Sequence, residues 1–273
     1  VVAVQTGEKG SGMSTILETR NLQKHFGAVT AAADISICIE SDTVVGLIGS
    51  NGAGKTTFLN MVTGYLKPSS GSIYFDGRNI TALGPRQITR LGICRSFQIP
   101  QLFDTLSVRD NLLVGVGIIA TAGENWGQAA STEGSASSAV ETMLERFDLG
   151  AYRDMPAGAL PEGVRKLLDI AMAMVVRPRI LLLDEPTSGV SAEEKFGLMD
   201  LVMEAVRSQK VTVLFVEHDM EIINRYTHRV IAFSEGRIIA DDEPEIALND
   251  LEVRKYVIGE TLHAKQRGSN AAS

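Results

Sequence analysis

The sequence predicts an α/β domain: a mainly parallel sheet with helices on both faces, interrupted by an inserted helical segment. Three observations predict it. The runs "TVVGLIGS" (43–50), "RILLLDEP" (179–186) and "TVLFVEHD" (212–219) are apolar without alternation, as strands buried on both faces are. A glycine-rich loop joins the first run to a helical stretch, the usual connection in such sheets. Between the first run and the second, residues from about 86 to 163 change to helical spacing and then return to strand–helix alternation.

The elements follow in order. "TILETRNLQKHF" (15–26) and "VTAAADISICIE" (29–40) alternate apolar and polar residues and read as strands. After "TVVGLIGS" a helix runs from Lys55 to about Tyr65, and "GSIYFDGRNI" (71–80) is a strand with a turn at Asp76-Gly77. In the block at about 86–163, "VRDNLLVGVGIIA" and "AVETMLERFDLG" have helical spacing. Residues 121–138, rich in Gly, Ala and Ser, read as a flexible insert in which Trp126 is expected to pack locally, a contact surface being the other reading. A helix is expected over Ala192 to Ser208, and "RVIAFSEGRIIAD" (229–241) reads as a hairpin turning at Glu235-Gly236. Residues 1–14 read as a disordered tail and 261–273 as a frayed one, leaving one domain over 15–260.

Composition excludes several classes. The 273 residues carry a net charge of −7 with no dense Lys/Arg block, which argues against a nucleic-acid partner, because such proteins need a basic face to displace phosphate counterions. Apolar runs such as Leu112 to Ala120 fall short of the roughly 20 residues that span a bilayer. No signal peptide is visible, so a cytosolic chain is expected, and any membrane role goes through a partner. Cys38 and Cys94 lack metal spacing and read as buried, reduced thiols.

"GSNGAGKT", Gly49 to Thr56, matches G-x-x-x-x-G-K-[ST] between a strand and a helix, the context that marks a phosphate-binding loop. Gly49, Gly52 and Gly54 let the backbone curl so that the N–H groups of Ser50, Asn51, Ala53 and their neighbours face phosphate oxygens, with the helix N-terminus adding its positive end. Lys55 would reach the β- and γ-phosphates and the Thr56 hydroxyl would hold Mg²⁺, with Thr57 next to it at the helix start. Asp184 ends an apolar strand, where a carboxylate is expensive without a partner; Mg²⁺ shared with Thr56 would supply one. Glu185 leaves the strand on the other side and is placed to polarise an attacking water.

These residues resemble the ATPase subunit of an ABC transporter, from about Leu17 to Gly259. The resemblance implies the ABC form of the phosphate-loop NTPase fold: the parallel core sheet, an N-terminal antiparallel β subdomain and the inserted helical subdomain. It also implies ATP and Mg²⁺ as cofactors. It matches Phe26 to an adenine-stacking aromatic, a core Phe being the other reading. It matches Gln98 in "RSFQIPQLF" to a glutamine that reaches Mg²⁺ and the attacking water, and His218 in "FVEHD" to a histidine contacting the γ-phosphate and Glu185.

Leu160, Pro161, Glu162, Gly163 and Val164 align with the signature, usually L-S-G-G-Q, that opens a helix onto the partner subunit's ATP. Here Pro161, a residue suited to the first helical turn, and Val164 replace the serine and glutamine, and Glu162 adds a negative charge. Ser191 stands where the family's next loop carries Asp or Asn. The resemblance implies a weakened contribution to a neighbour's site. The implied partners are a second ATPase subunit (a heterodimer, or a homodimer), integral-membrane permease subunits, and an extracytoplasmic solute-binding protein acting indirectly. The implied location is peripheral, on the cytoplasmic face of the inner membrane. Several motifs resemble the branched-chain amino-acid uptake group, and the chain resembles the first of that group's two ATPases. Urea or amide uptake, lipopolysaccharide export, or a soluble ABC ATPase of DNA repair or ribosomes are the alternatives.

Overall fold

The computed structural model describes residues 14–120 and 133–259. The expected tails, Ser14 apart, lie outside these residues, as does the expected flexible insert up to 132, Trp126 included; residues 133–138 are helical.

β1 (Thr15–Phe26) and β2 (Val29–Glu40) form a long antiparallel hairpin. β3 (Val44–Gly49) leads to α1 (Lys55–Val62), then β4 (Ser70–Phe75) and β5 (Arg78–Asn79) complete a four-stranded antiparallel sheet of order β2-β1-β4-β5. Asp76 and Gly77 both have positive φ, 51° and 74°, the backbone that a two-residue turn matching strand twist requires.

α2 (Pro85–Leu91) precedes β6 (Ile93–Ser96), and the helical insertion consists of α3 (Val108–Ala120), α4 (Glu133–Arg146) and α5 (Glu162–Val175). The chain then continues through β7 (Ile180–Asp184), α6 (Lys195–Gln209), β8 (Thr212–Val216), α7 (Met220–Tyr226), β9 (Arg229–Ser234) and β10 (Arg237–Asp242). The second sheet has the order β10-β9-β3-β8-β7-β6, parallel throughout except for β10.

One correction concerns the helical block expected from about 86 to 163. Ile93–Ser96 lies inside it yet pairs in parallel with Ile180–Leu183 as the edge of the core sheet. A four-residue strand is too short to show a period, so helical spacing on its flanks masks it. At the other end α5 runs on to Val175 as a single helix.

Successive residues of β7 face opposite ways, as strand geometry demands. Leu181 and Leu183 pack with Leu112, Phe147, Leu168 and Met174 of the helical insertion. Leu182 joins Leu47, Phe58 and Phe233 in the layer between the two sheets, with Leu17 and Ile35 of the antiparallel sheet. Because β3, β6, β7 and β8 are parallel, their carboxyl ends, and the loops that leave them, share one edge, the edge at which open α/β sheets place ligands.

The thiols divide. Cys94 is buried, and burial pushes its thiol up to about 12. Cys38 is exposed, not buried as expected, because it falls on the outward-facing positions of β2, whose inward ones are Ile37 and Ile39.

Candidate active site

The loop leaving β3 is held open by glycines where no other residue fits. A Cβ on Gly49 would lie 2.6 Å from the Phe233 carbonyl oxygen, and one on Gly54, at φ 109°, 2.6 Å from that of Ala31. Gly236, at the β9–β10 turn, also packs closely on Ala31, so the antiparallel sheet is seated against the loop by backbone contact. The first N–H groups of α1 have no partner one turn back and point into the loop. Lys55 is buried, and its Nζ donates to the carbonyl oxygens of Gly49 (2.5 Å) and Ser50 (3.1 Å). Burial lowers its pKa, an effect opposed by Glu185 and Asp184 nearby. The result is a cationic group and a bare helix N-terminus around a concavity of glycines, which fits a polyphosphate. Ser50, Asn51 and Thr56 are exposed, Ala53 is buried and Thr57 half-buried.

Asp184 has a protein partner that sequence reasoning missed. Arg95 of β6 donates from Nη2 to Asp184 Oδ2 (2.5 Å) and from Nη1 to Asn60 Oδ1 (2.6 Å), and its guanidinium lies 5.0 Å from the Phe97 ring centroid. Both side chains of the pair are nearly enclosed, 7% and 11% exposed. Asn60 follows Thr56 by one helical turn, so the pair is tied to the helix that carries the metal-site hydroxyl. Oδ1 of Asp184 makes no hydrogen bond among the described residues and remains for a cation. Among these residues no group of three His, Cys, Asp or Glu gathers, so a closed all-protein metal cage is not on offer. One carboxylate and one hydroxyl beside a phosphate cradle is instead the donor set suited to Mg²⁺, which takes its other ligands from phosphates and water.

Glu185 sits at φ 51°, a left-handed conformation uncommon for a residue with a side chain. Its N–H donates to the Val216 carbonyl (3.0 Å) and its own carbonyl accepts from Lys166 Nζ (3.0 Å). Its carboxylate lies between the two other expected catalytic residues: Gln98 Nε2 donates to Oε2 (2.6 Å), and His218 Nε2 lies 2.9 Å from Oε1. Each oxygen keeps a lone pair for a further proton donor such as water. His218 is partly exposed, and its backbone N–H donates to the side chain of buried Glu217, which also accepts from the Thr187 N–H and hydroxyl. Glu217 therefore fixes the loop after Glu185 relative to His218, a second residue that sequence reasoning missed.

Phe26 is half exposed at the end of β1 with Lys24 Nζ 5.1 Å from its ring centroid, so it is a surface aromatic and not a core one. At the signature-like segment, Leu160 is buried, Pro161 is the residue capping α5 and lies just outside its first turn, and Glu162 is the first helical residue, exposed. Pro161 supplies only its carbonyl, which accepts from the Arg165 N–H (3.0 Å). Gly163 lies against Val190, and Val164 packs on the helical core. Ser191 takes a local role: its Oγ accepts from the Glu194 N–H and its hydroxyl donates to the Glu194 carboxylate, bracing the entry to α6.

A phosphate loop, an acidic strand end and a Gln–Glu–His cluster on one edge of a parallel sheet define a nucleotide hydrolase of the phosphate-loop class. The family model described as "ABC transporter" matches residues 32–188, and the chain belongs to that family. It is 34% identical over 255 residues to the high-affinity branched-chain amino acid transport ATP-binding protein BraF of Pseudomonas aeruginosa, covering 90% of this chain and 98% of that protein. It is 33% identical over 249 residues to a probable branched-chain amino acid transport ATP-binding protein, LivG, of Archaeoglobus fulgidus, covering 89% and 95%. Among solved structures, the ADP conformation of MJ1267, an ATP-binding cassette of an ABC transporter, superposes with a TM-score of 0.76 at 32% identity, covering 90% of this chain and all of that one.

Proposed function

We propose that this chain is the ATP-binding and ATP-hydrolysing subunit that powers an ABC importer for branched-chain or related amino acids. The observation that carries the proposal is the Glu185 carboxylate held between Gln98 and His218 beside the phosphate loop. Gly49 to Thr57 bind the phosphates, Lys55 neutralises the β- and γ-phosphate charge, and Phe26 stacks on the adenine. Thr56, Asp184 and Gln98 would hold Mg²⁺, which neutralises charge developing on the transferred phosphoryl group. Glu185 accepts the proton of the attacking water, and Gln98 and His218 fix its carboxylate for that step.

The partners follow from the same reading. Leu160 to Val164 face the nucleotide of a second ATPase subunit, where Pro161 offers no hydroxyl and Glu162 places a carboxylate near the phosphates. A cavity of about 190 Å³ lined by Tyr65, Phe97, Gln101 and Met172 opens between the core sheet and the helical insertion, room for a side chain or two projecting from a cytoplasmic helix of the permease. In this reading the permease holds the chain to the cytoplasmic face; no described helix is long and apolar enough to cross a membrane. A solute-binding protein would act on the far side without touching this chain.

The test is a pull-down of tagged Glu185→Gln chain from detergent-solubilised membranes of its own organism with ATP and Mg²⁺. Recovery of permeases, together with a second ATPase or a second copy, is expected. Recovery of ribosomal or DNA-repair proteins, with no permease, would overturn the transport reading.

A further inference from the structure

α5 does more than present its first turn to a neighbour. Lys166 and Asp169 lie one turn apart on one face of this helix, and both are almost fully buried, at 3% and 7% exposure. Burying such groups is costly unless each finds strong partners. Those partners all belong to the Gln98 segment or to Glu185. Lys166 Nζ donates to the carbonyl oxygens of Glu185 (3.0 Å) and Gln98 (3.3 Å). Asp169 Oδ2 accepts from the Ser96 hydroxyl (2.7 Å) and the Phe97 N–H (3.2 Å), and Oδ1 from the Gln101 N–H (3.0 Å).

We infer that Lys166 is a positioning residue for hydrolysis, clamping the backbones of Gln98 and Glu185 together while Asp169 fixes the Gln98 segment on both sides. The inference rests on the proposed role of Glu185 as the base. Glu185 occupies a left-handed backbone conformation that persists only when its surroundings hold it: its N–H donates to Val216, and its carbonyl accepts from Lys166 Nζ (3.0 Å) and, within its own loop, from the Ser188 N–H (3.1 Å). Gln98 meets Glu185 side chain to side chain at 2.6 Å, and the same two residues are bridged by one ammonium group at their carbonyls. Removing that bridge frees the carboxylate to leave its place relative to the bound phosphates. Nothing in the clamp touches the phosphate loop, so nucleotide binding should persist. A base displaced by an ångström costs turnover steeply.

The experiment uses the full chain carrying Lys166→Met, Lys166→Arg or Asp169→Asn. It measures kcat and KM for ATP beside the affinity for a fluorescent ATP analogue. Lys166→Met is expected to lower kcat about tenfold or more with KM and analogue affinity within about twofold of the unaltered chain. Lys166→Arg, which keeps charge and reach, should recover most of that loss. Asp169→Asn introduces no cavity and should lower kcat alone, a readout that survives if Lys166→Met fails to fold. Turnover within about twofold of the unaltered chain in Asp169→Asn and in any Lys166→Met protein that folds would overturn the inference. So would a rise in KM that matches the fall in kcat and is the same in Lys166→Met and Lys166→Arg. Normal turnover of Glu185→Gln in the same assay would overturn the underlying role of Glu185 instead.

Discussion

Breaking the buried Arg95–Asp184 pair should be strongly destabilising, and Arg95→Met measures that cost. With the two side chains 7% and 11% exposed, the pair counts as buried. Deleting one member of a buried pair leaves the other as an uncompensated charge, at a cost of about 3–5 kcal/mol. The substitution also strips Asn60 of its Arg95 partner, a contribution that overlaps with the first because the same guanidinium makes both bonds. In a domain of this size each kcal/mol moves the melting temperature by roughly 2–4 °C, so a fall of roughly 6–20 °C is expected. Urea denaturation of the full chain, with Arg95→Met, Asp184→Asn and the double substitution, provides the assay. The double variant should be less destabilised than the sum of the singles, with a coupling of at least about 1 kcal/mol. A loss under about 1 kcal/mol in Arg95→Met, or strictly additive singles, would refute the reasoning.

Two further outcomes are expected. Gly54→Ala must place a Cβ 2.6 Å from the Ala31 carbonyl oxygen at φ 109°, so it should lose about 1–3 kcal/mol of stability and most nucleotide affinity; a stable variant with undiminished affinity would contradict the packing of the two sheets on the loop. A thiol reagent at about pH 8 should modify Cys38 in the native chain but reach Cys94 only after denaturation, since burial holds that thiol at about 12; mass spectrometry of the labelled peptides decides between this and equal labelling.

What was legible in the sequence divides along physical lines. Strands such as Leu181–Leu183, buried on both faces, announce themselves by unbroken apolar runs, and the glycine spacing of the phosphate loop, set between a strand and a helix, seldom arises in an ordinary turn. β6 was not legible, because four residues carry no period and its pairing partner lies far along the chain. Arg95 left a trace that could have been used. It is a lone charge between Cys94 and Ser96 in an otherwise apolar stretch, opposite a strand ending in Asp184, and such a charge needs a partner. Lys166 and Asp169 left less, since a Lys and an Asp one turn apart on a helix ordinarily form a solvated pair. Their burial follows from how α5 packs on α3 and β6, which is tertiary information. Pro161 was displaced by one position, from the first turn to the cap, within the usual uncertainty of helix ends.

In the proposed mechanism the carboxylate held between Gln98 and His218 is the base for ATP hydrolysis. The most direct test is single-turnover hydrolysis of radiolabelled ATP by the Glu185→Gln chain, alongside the affinity for ATP measured with Mg²⁺ present. The expected result is affinity within a few-fold of the unaltered chain and a rate lower by on the order of 10²-fold or more. Hydrolysis at the unaltered rate with ATP bound would contradict it.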